Sequence, residues 1–386
     1  MSGIMETMPS AIFTPLVYGN LTHIDELLDL SLMGLRFPFW SGSTTRFPII
    51  NGKMYRFPMI TPSIERRTEL RLDRFDLSTG LQDRDVLIHD FYPEMIFYYS
   101  FADRGMTVYT ESAAYLFNHN FEQLRRTPWP EQIPKEALQD SWRFQWNAAL
   151  NDDFTKLAFA GTINDMQGVY LFDLTADTPP SLIQERTPVV YTVNGEPVEL
   201  VEPIFERPSP ALFTSLEHLF VEVGIWTGTA FFRLIDLEGN ILQAFPFGAT
   251  GEYAGGHIFA NTSMVIFDPQ QYHEFHYFDF ETSILSPADW WRFNKNETWS
   301  AFIPDPNNPR IWYVSSTLGG HGSHQVGFEE RSYIRRLDFE NKTMEPIISV
   351  TEIHVTLMSV GANGELVFAY SGQSGTGFAV FYRGAN

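Results

Sequence analysis

The chain has 386 residues, of which 44% are hydrophobic and 15% aromatic, enough to bury a sizeable core. Its 26 Lys and Arg residues against 47 Asp and Glu give a net charge of −21, which repels phosphate backbones and anionic membranes. We therefore expect no nucleic-acid partner. The absence of cysteine excludes disulfides, thiolate metal ligands and a cysteine nucleophile.

Membrane insertion and secretion are not predicted. No stretch approaches about 18 uninterrupted apolar residues, the minimum for a transmembrane helix. The N-terminus, MSGIMETMPSAIFTPLVYGN, lacks a basic segment followed by an apolar one, so no signal peptide is visible. We expect a soluble protein that is cytoplasmic by default, although a mature secreted form would have the same features.

The first predicted elements lie before residue 40. The run AIFTPLVY at 11–18 has the composition of a strand. The run THIDELLDLSLMGL at 22–35 begins with Thr, has early acids and shows helical apolar spacing, which predicts a short helix. A helical turn is also predicted within 127–142, and an irregular linker is the alternative for both segments.

One short motif recurs along the rest of the chain, namely an apolar strand that ends in Asp or in a substitute for it. Its copies are RFDL (74–77), YLFN (115–118), YLFDL (170–174), RLIDL (233–237), HYFDF (276–280), IRRLDF (334–339) and, more loosely, GFAVFYR (377–383). The equivalent positions are Asp76, Asn118, Asp173, Asp236, Asp279, Asp338 and Tyr382. Each Asp is predicted to end a strand and to accept backbone N–H bonds across the next turn. A ring of carboxylates is the alternative.

Each copy also contains two earlier strands and one later strand, separated by short polar turns. Seven copies of a four-stranded unit, about 40 to 60 residues apart, predict an all-β fold, a seven-bladed β-propeller. The last copy lacks one strand, and we expect the run at 11–18 to pair with it and close the ring. The expected single domain spans 1–386, with blades at about 40–90, 91–126, 140–187, 203–247, 253–287, 297–350 and 352–383.

The third copy, NDDFTKLAFAGTINDMQGVYLFDL at 151–174, resembles the WD40-like repeat of TolB-type propellers. Asn151, Asp152 and Asp153 stand where Pro-Asp-Gly is usual, and GVYLFDL matches the third strand of that repeat. GANGELVFAYSG at 361–372 is a second match, and the resemblance extends over about 45–383. It implies a fold rather than an activity, because this superfamily includes scaffolds, receptors and hydrolase accessory domains.

One face of the predicted ring is richer in loops than the other. In a four-stranded blade, the connections between strands 2 and 3 share a face with those that lead into the next blade. The long glycine-rich segments fall there: GTINDMQG from 161, GIWTGTA from 224, STLGGHGSHQVGFEERS at 316–332 and SGQSGTG from 371. An extra hairpin is predicted around Asn194 and Gly195 in the connection from blade 3 to blade 4. Long loops on a rigid scaffold favour this face as the functional one.

Histidines on this face are the main chemical lead. His257 lies at the start of a blade, and His321 and His324 lie in one glycine-rich loop. Together with Glu329 or Glu330 they are candidates to bind zinc or another divalent transition ion, since imidazole and carboxylate suit such metals. The alternative is ordinary hydrogen bonding by loop histidines, and no other cofactor is predicted.

Aromatic residues near the same face are candidates to bind a carbohydrate or a peptide, although packing between blades is the alternative for each. They are Trp226, Tyr253, Tyr272, Trp290 and Trp291. The predicted ligand-binding set is Trp226, Tyr253, His257, His321, His324 and Glu329; the predicted metal ligands are His257, His321 and His324.

No nucleophile elbow, H-E-x-x-H pair or P-loop is present, so no catalytic residue is assigned. The sequence therefore favours a non-enzymatic propeller that binds a protein or a carbohydrate on its loop-rich face. The alternative is a hydrolase or lyase that acts on a saccharide or ester in a central funnel, with assistance from a metal.

Overall fold

The computed structural model describes residues 5–7, 12–16, 48–56, 68–78, 82–102, 105–133, 148–176, 178–188, 191–193, 196–198, 205–224, 230–245, 257–268, 275–291, 297–318, 331–351, 353–372 and 375–382. Regular structure in these ranges consists of β-strands, and they contain no helix long and apolar enough to cross a membrane. The helix predicted at 22–35 lies outside the described residues. Of the segment 127–142, only 127–133 is described, and it contains a strand end and a turn.

Blades 1 to 3 each form a four-stranded antiparallel sheet in chain order. Blade 1 contains β3 (Ile49–Ile50), β4 (Lys53–Arg56), β5 (Glu69–Asp76) and β6 (Gln82–Asp90). Blade 2 contains β7 (Ile96–Ala102), β8 (Gly105–Thr110), β9 (Ala113–Phe117) and β10 (Gln123–Pro128). Blade 3 contains β11 (Ala148–Leu150), β12 (Lys156–Ile163), β13 (Met166–Asp173) and β14 (Ser181–Glu185).

Blades 4 and 5 repeat this arrangement after the predicted extra hairpin, which forms from β15 (Tyr191–Val193) and β16 (Glu196–Val198). Blade 4 contains β17 (Arg207–Phe213), β18 (Leu219–Gly224), β19 (Ala230–Ile235) and β20 (Ile241–Phe245). Blade 5 contains β21 (His257–Ala260), β22 (Met264–Asp268), β23 (His276–Asp279) and β24 (Ile284–Pro287).

Blades 6 and 7 each gain a strand from the N-terminal part of the chain. Blade 6 contains β25 (Glu297–Asp305), β26 (Asn308–Leu318), β27 (Arg331–Asp338) and β28 (Thr343–Thr351), with β1 (Met5–Thr7) as a fifth strand beside β28. Blade 7 contains β29 (Ile353–Val360), β30 (Glu365–Gly372) and β31 (Gly375–Tyr382), with β2 (Ile12–Leu16) as its fourth strand. The predicted closure by an N-terminal strand is therefore correct, whereas the fifth strand of blade 6 had no sequence signal.

Apolar side chains fill every seam between neighbouring blades, which is what holds the ring together. Alternate residues of a strand point to opposite faces of its sheet, so each blade supplies one apolar face to each neighbour. Seven buried clusters result, one for each seam, including the seam from blade 7 back to blade 1. Representative pairs, from blades 1–2 to blades 7–1, are Leu72 and Met106, Ala114 and Phe159, Val169 and Val221, Phe220 and Val265, Ile266 and Val314, Ile334 and Leu357, and Val367 and Phe75.

The recurring Asp has the predicted structural role. In blade 3, Asp173 Oδ1 accepts the backbone N–H of Thr175 at 2.8 Å. In blade 2, the amide oxygen of Asn118 accepts the N–H of Asn120 at 2.8 Å, so the substitute residue preserves the turn. Asp76 and Asp236 likewise accept the N–H two residues ahead, and Asp279 and Asp338 accept the N–H three residues ahead.

The two faces of the ring differ in the length of their connections. We call the face with the connections between strands 2 and 3, and between blades, the loop face, and the opposite one the turn face. Turn-face connections contain at most seven residues (174–180), whereas the loop-face connections at 57–68, 129–147, 246–256 and 319–330 are longer. The length asymmetry predicted from the sequence is therefore present.

Two segments predicted as long loops are instead tight hairpins. In GTINDMQG the strands continue to Ile163 and resume at Met166, because Asn164 and Asp165 adopt positive φ angles of 51° and 64° and form a two-residue turn. In SGQSGTG the strands continue to Gly372 and resume at Gly375. Glycine content alone therefore overestimated the length of these two connections.

Candidate functional site

Buried polar side chains are concentrated where the strands of blades 6 and 7 reach the loop face. Strands β25 and β29 begin at this face, β26 ends there and β27 begins there. The buried polar residues on these strand ends are Glu297, Ser315, Ser316, Thr317, Ser332, Arg335 and Thr356. Burial of so many polar groups is costly unless they are hydrogen-bonded, and here they form two hydrogen-bonded groups.

The first group, which we call the ion-pair cluster, consists of Glu297, Ser316, Tyr333 and Arg335. Arg335 Nη1 donates to Glu297 Oε1 and to Ser316 Oγ, and the Ser316 hydroxyl donates to the same carboxylate oxygen. The guanidinium also lies 4.0 Å from the centre of the Tyr333 ring. Charge and hydrogen-bonding needs are thus met inside the cluster.

Strand register places the ion-pair cluster at the seam between blades 5 and 6. Val314 belongs to the apolar cluster of that seam and is the cross-strand partner of Arg335. Ser316 lies two residues further along β26, so it points the same way. The Glu297 side chain is 1% exposed and the Arg335 side chain 10% exposed. A charge pair this deeply buried fixes the relative position of three strands.

The second group, which we call the hydroxyl chain, faces blade 7 and consists of Thr317, Ser332, His354 and Thr356. The Thr317 hydroxyl lies 3.0 Å from Ser332 Oγ and 3.0 Å from His354 Nδ1. The other imidazole nitrogen of His354, Nε2, lies 3.3 Å from the Thr356 hydroxyl. Hydroxyl and imidazole groups both donate and accept hydrogen bonds, which suits recognition of polar groups.

Two serines also bind the backbone of blade 7 directly. Ser315 Oγ accepts the N–H of Leu357 at 3.0 Å, and Ser332 Oγ accepts the N–H of Val355 at 3.3 Å. Both N–H donors belong to β29, the edge strand of the blade 7 sheet. The hydroxyl chain is therefore anchored to rigid strands on both sides.

The segment 319–330 covalently joins Leu318 to Arg331, which are cross-strand partners directly beside both groups. It contains the predicted residues His321, His324, Glu329 and Glu330, all of which lie outside the described residues. The predicted metal site therefore stays a prediction. Among the residues that the structure describes, no group of three or more His, Asp or Glu side chains has metal-binding geometry.

The other predicted ligand-binding residues are only partly described. His257 is the first residue of β21, and its backbone pairs with Asp268 of β22. Trp226, Tyr253 and Tyr272 lie outside the described residues. Trp291 is 1% exposed and packs with Trp290 in the core between blades 5 and 6, so for these two tryptophans the packing alternative is correct.

Glu297, Arg335 and His354 were not among the site residues predicted from the sequence. The available signal was the run of three hydroxyl residues, Ser315 to Thr317, in a strand that is otherwise apolar and aromatic. A second signal was the charged residue Arg335 in β27, a strand whose residues are buried or partly buried. Both are local irregularities in a strand pattern, and both mark the positions where the buried polar groups meet.

No protein-family model matches the chain, and no curated protein matches it. Among solved structures, the WD40 domain of Neurospora crassa Pan2 aligns with 98% of this chain and 98% of its own, at 10% identity and a TM-score of 0.44. TolB from Acinetobacter baumannii aligns with 80% of this chain and 65% of its own, at 11% identity and a TM-score of 0.35. The chain is similar in fold to WD40-like and TolB-type β-propellers.

A propeller-containing enzyme is also among the similar structures. A post-proline cleaving enzyme from Rickettsia typhi aligns with 91% of this chain at 9% identity and a TM-score of 0.44. This propeller spans only 54% of the length of that enzyme. At such identities the likeness concerns the fold alone, and any function has to be argued from the site.

Blade 2 of the propeller has a further polar group at the loop face, centred on Glu94. Glu94 Oε2 accepts hydrogen bonds from the Thr110 hydroxyl at 2.6 Å and the Tyr115 hydroxyl at 2.9 Å. Arg126 reaches Glu94 Oε1 at 3.3 Å and Tyr115 at 3.0 Å. Burial acts to raise the pKa of Glu94, but these hydrogen bonds outweigh it and hold the pKa below its ordinary value. The carboxylate is thus a fixed anion that orders the connection between blades 1 and 2.

Blade 4 contains a carboxyl group in the opposite situation. Glu222 lies in β18 between its cross-strand neighbours Ser209 and Phe232. It is partly buried, and burial raises its pKa to about 7. Its side chain points the same way as Phe220, into the seam with blade 5.

Proposed function

We propose that this protein is a non-enzymatic binding propeller, and that its partner docks on the loop face over blades 6 and 7. The observation that carries the proposal is the concentration of buried polar groups in the ion-pair cluster and the hydroxyl chain at this end of the strands. On the turn face, by contrast, the repeated Asp and Asn side chains are used to close short turns.

The arrangement suits recognition because its polar groups are held in place before a partner arrives. Strands hold hydrogen-bonding side chains with less freedom than loops do, which lowers the entropic cost of binding. The positive charge of Arg335 neutralises Glu297, so the ion-pair cluster is held in position and carries no net charge. Beside it, the buried hydroxyls hold the partly exposed imidazole of His354, a group that can bond the hydroxyl and amide groups of a saccharide or a peptide.

Carbohydrates and peptides remain the two partner classes, as the loop composition also predicts. The net charge of −21 disfavours nucleic acids on general electrostatic grounds. A binding screen should therefore use an oligosaccharide array and a library of 15-residue peptides, with the full chain as the analyte.

Thr317→Val removes one hydroxyl from the centre of the hydroxyl chain with little change in volume. The matched control is Thr175→Val, which removes a hydroxyl that Asp173 binds on the turn face. We expect a ligand from the screen to bind Thr317→Val about fivefold more weakly and the control variant unchanged, because the variant removes a hydrogen bond to His354 that is worth roughly 1 kcal/mol. Equal affinity of both variants for every ligand would refute docking on this face.

The enzyme alternative is distinguished by two further measurements on the same protein. Nitrophenyl glycosides and esters test for hydrolysis, and metal analysis tests for a bound ion. If the protein hydrolyses one of these substrates and holds a stoichiometric metal ion, and His321→Ala loses both, a metal-assisted hydrolase would replace the binding proposal.

A further inference from the structure

The outer strands of blades 4 and 5 have exposed apolar residues on an edge that no described strand covers. Ile241 and Leu242 open β20 with 51% and 45% exposure, and Ile284 and Leu285 open β24 with 56% and 46%. Both pairs follow the turn between strands 3 and 4, so they occupy the same place in neighbouring blades. Such edges expose unpaired backbone groups as well as apolar side chains, which makes them templates for another strand.

The other outer strands whose side-chain exposure is described are protected in recognisable ways. Charged residues interrupt β6, β10 and β14, as in the pair Arg125 and Arg126 beside Leu124. In blade 3, Gly239 from the next blade lies against Ile183, which is 6% exposed, and Gln184 Nε2 donates to the Gly239 carbonyl at 3.0 Å. By contrast, β20 (ILQAF) and β24 (ILSP) contain no charged residue.

The molecule itself shows what kind of segment its outer edges accept. Strand β1 pairs antiparallel with the outer strand of blade 6, with Met5 opposite Val350 and Thr7 opposite Ile348. Strand β2, with the sequence IFTPL, completes blade 7 in the same manner. Extended chain with apolar residues thus covers the edges of two blades, while β20 and β24 lack such a cover among the described residues.

Charge around these edges indicates which partner would fit. Glu238 precedes β20, and Glu281 and Asp289 flank β24; all three are exposed. Glu281 also pairs with Arg310 but keeps 68% of its side chain exposed. Antiparallel pairing of two copies of β24 would bring Glu281 of one copy towards Asp289 of the other, and the chains repel each other at −21 each. A second copy is therefore disfavoured.

We propose that the outer edges of blades 4 and 5 dock an extended protein segment by strand addition, and that this segment has apolar residues at its centre and Lys or Arg at both ends. Backbone hydrogen bonds to β20 or β24 supply the pairing, and the side chains beside Ile241 and Ile284 supply the apolar contact. The acidic flanks select the basic ends. This surface lies on the rim of the ring and is separate from the loop face.

The test uses the full chain and a labelled peptide, KKTITVTITKKG, in a fluorescence anisotropy titration. Two control peptides replace the lysines with glutamates (EETITVTITEEG) or the central valine with proline (KKTITPTITKKG). We expect saturable binding of the first peptide only, weakening with added salt because the flanking contacts are exposed charges. Hydrogen exchange should show new amide protection within 241–245 or 284–287.

The decisive variants place a lysine on the two edges, as Ile241→Lys with Ile284→Lys. The matched control is Leu124→Lys in blade 2. Leu124 is exposed, and its strand β10 already contains the charged residues Arg125 and Arg126. We expect about a tenfold or greater loss of peptide affinity in the double variant and none in the control. Melting temperatures are compared first, and Leu242→Lys with Leu285→Lys replaces the double variant if that one is destabilised.

Three outcomes would overturn the proposal. The lysine and glutamate peptides bind equally or not at all; the edge variants bind the peptide as the unsubstituted chain does; or the chain forms a dimer that the edge variants abolish, which would make a second copy the occupant. None of these outcomes depends on whether a ligand binds the loop face.

Discussion

Arg310 of blade 6 donates a hydrogen bond from Nε to Asp279 Oδ2 of blade 5 at 2.9 Å. The other carboxylate oxygen, Oδ1, accepts the N–H of Thr282 at 2.9 Å, so this aspartate caps its own turn and joins two blades. Its side chain is 14% exposed, and that of Arg310 is 29% exposed. The pair is therefore better shielded from water than an ordinary surface ion pair.

Arg310→Met should lower the free energy of unfolding by about 1–2 kcal/mol, because it leaves a shielded carboxylate without its cation. Urea denaturation at pH 7 measures the change. The control is Lys156→Met, which breaks the bond to Glu217, a side chain that is 55% exposed, and should cost less than about 0.5 kcal/mol. Both pairs join neighbouring blades, so equal losses would show that the shielding of the pair between Arg310 and Asp279 adds nothing to its contribution.

Asp338 leads to a second prediction, which tests the repeated cap. Its Oδ1 accepts the N–H of Asn341 at 2.9 Å, and its Oδ2 accepts a bond from Arg336 at 3.1 Å. Burial acts to raise the pKa of Asp338, but the bonds from Asn341 and the Arg336 charge outweigh it, so the pKa lies below its ordinary 3.8. A depressed pKa stabilises the fold above pH 3.8, and this contribution is lost as the pH falls through the folded-state value.

Asp338→Asn should preserve the turn, as Asn118 does in blade 2. Asp338→Ala should lower the free energy of unfolding by about 1 kcal/mol more than Asp338→Asn does. The unfolding free energies of the original chain and of Asp338→Asn should converge as the pH falls below 3.8. A constant difference between pH 7 and pH 3 would contradict the lowered pKa. Chemical denaturation at a series of pH values provides the comparison.

The fold was predictable because its determinants are local and repeated. Strand alternation, the Asp after the third strand and the closing run at 11–18 each follow from a short stretch of sequence. The length of the turns was harder to predict. The tight hairpin at Asn164 and Asp165 depends on two positive φ angles, whereas the surrounding glycines suggested a longer loop.

The candidate site was largely beyond prediction because its members meet only through strand register. Ser316 is 19 residues from both Glu297 and Arg335 in the chain, and those two are 38 residues apart. A single sequence offers no reason to associate residues at those separations. Two of the three predicted histidines, His321 and His324, lie in the segment that joins β26 and β27, whereas the buried polar groups of those strands were not predicted.

The ion pair between Glu297 and Arg335 leads to a third prediction. Arg335→Met should destabilise the protein by about 3–5 kcal/mol, since it removes the cation from a carboxylate whose side chain is only 1% exposed. Adding Glu297→Gln should restore part of the loss, because the remaining amide carries no charge. Arg74→Met, which affects an exposed pair with Asp83, should cost less than about 1 kcal/mol in the same urea experiment. A double variant no more stable than Arg335→Met would argue against an uncompensated charge as the cause.

Glu222 leads to the fourth prediction, in which stability depends on pH in the opposite sense from Asp338. Burial raises its pKa from 4.5 to about 7, so between these values the unfolded chain loses a proton that the folded chain keeps. The free energy of unfolding is therefore highest below pH 4.5 and decreases as the pH rises to about 7. A shift of this size corresponds to about 3 kcal/mol at most.

Glu222→Gln should abolish this contribution, so the stability of the variant relative to the original chain should rise by up to about 3 kcal/mol between pH 4.5 and pH 7.5. Glu217→Gln, in the exposed turn before the same strand, should leave the pH dependence of that window in place. Urea denaturation of the three proteins at half-unit pH intervals measures both effects. If Glu222→Gln parallels the original chain across the window, the carboxyl group is ionised in the fold and the seam between blades 4 and 5 accommodates its charge.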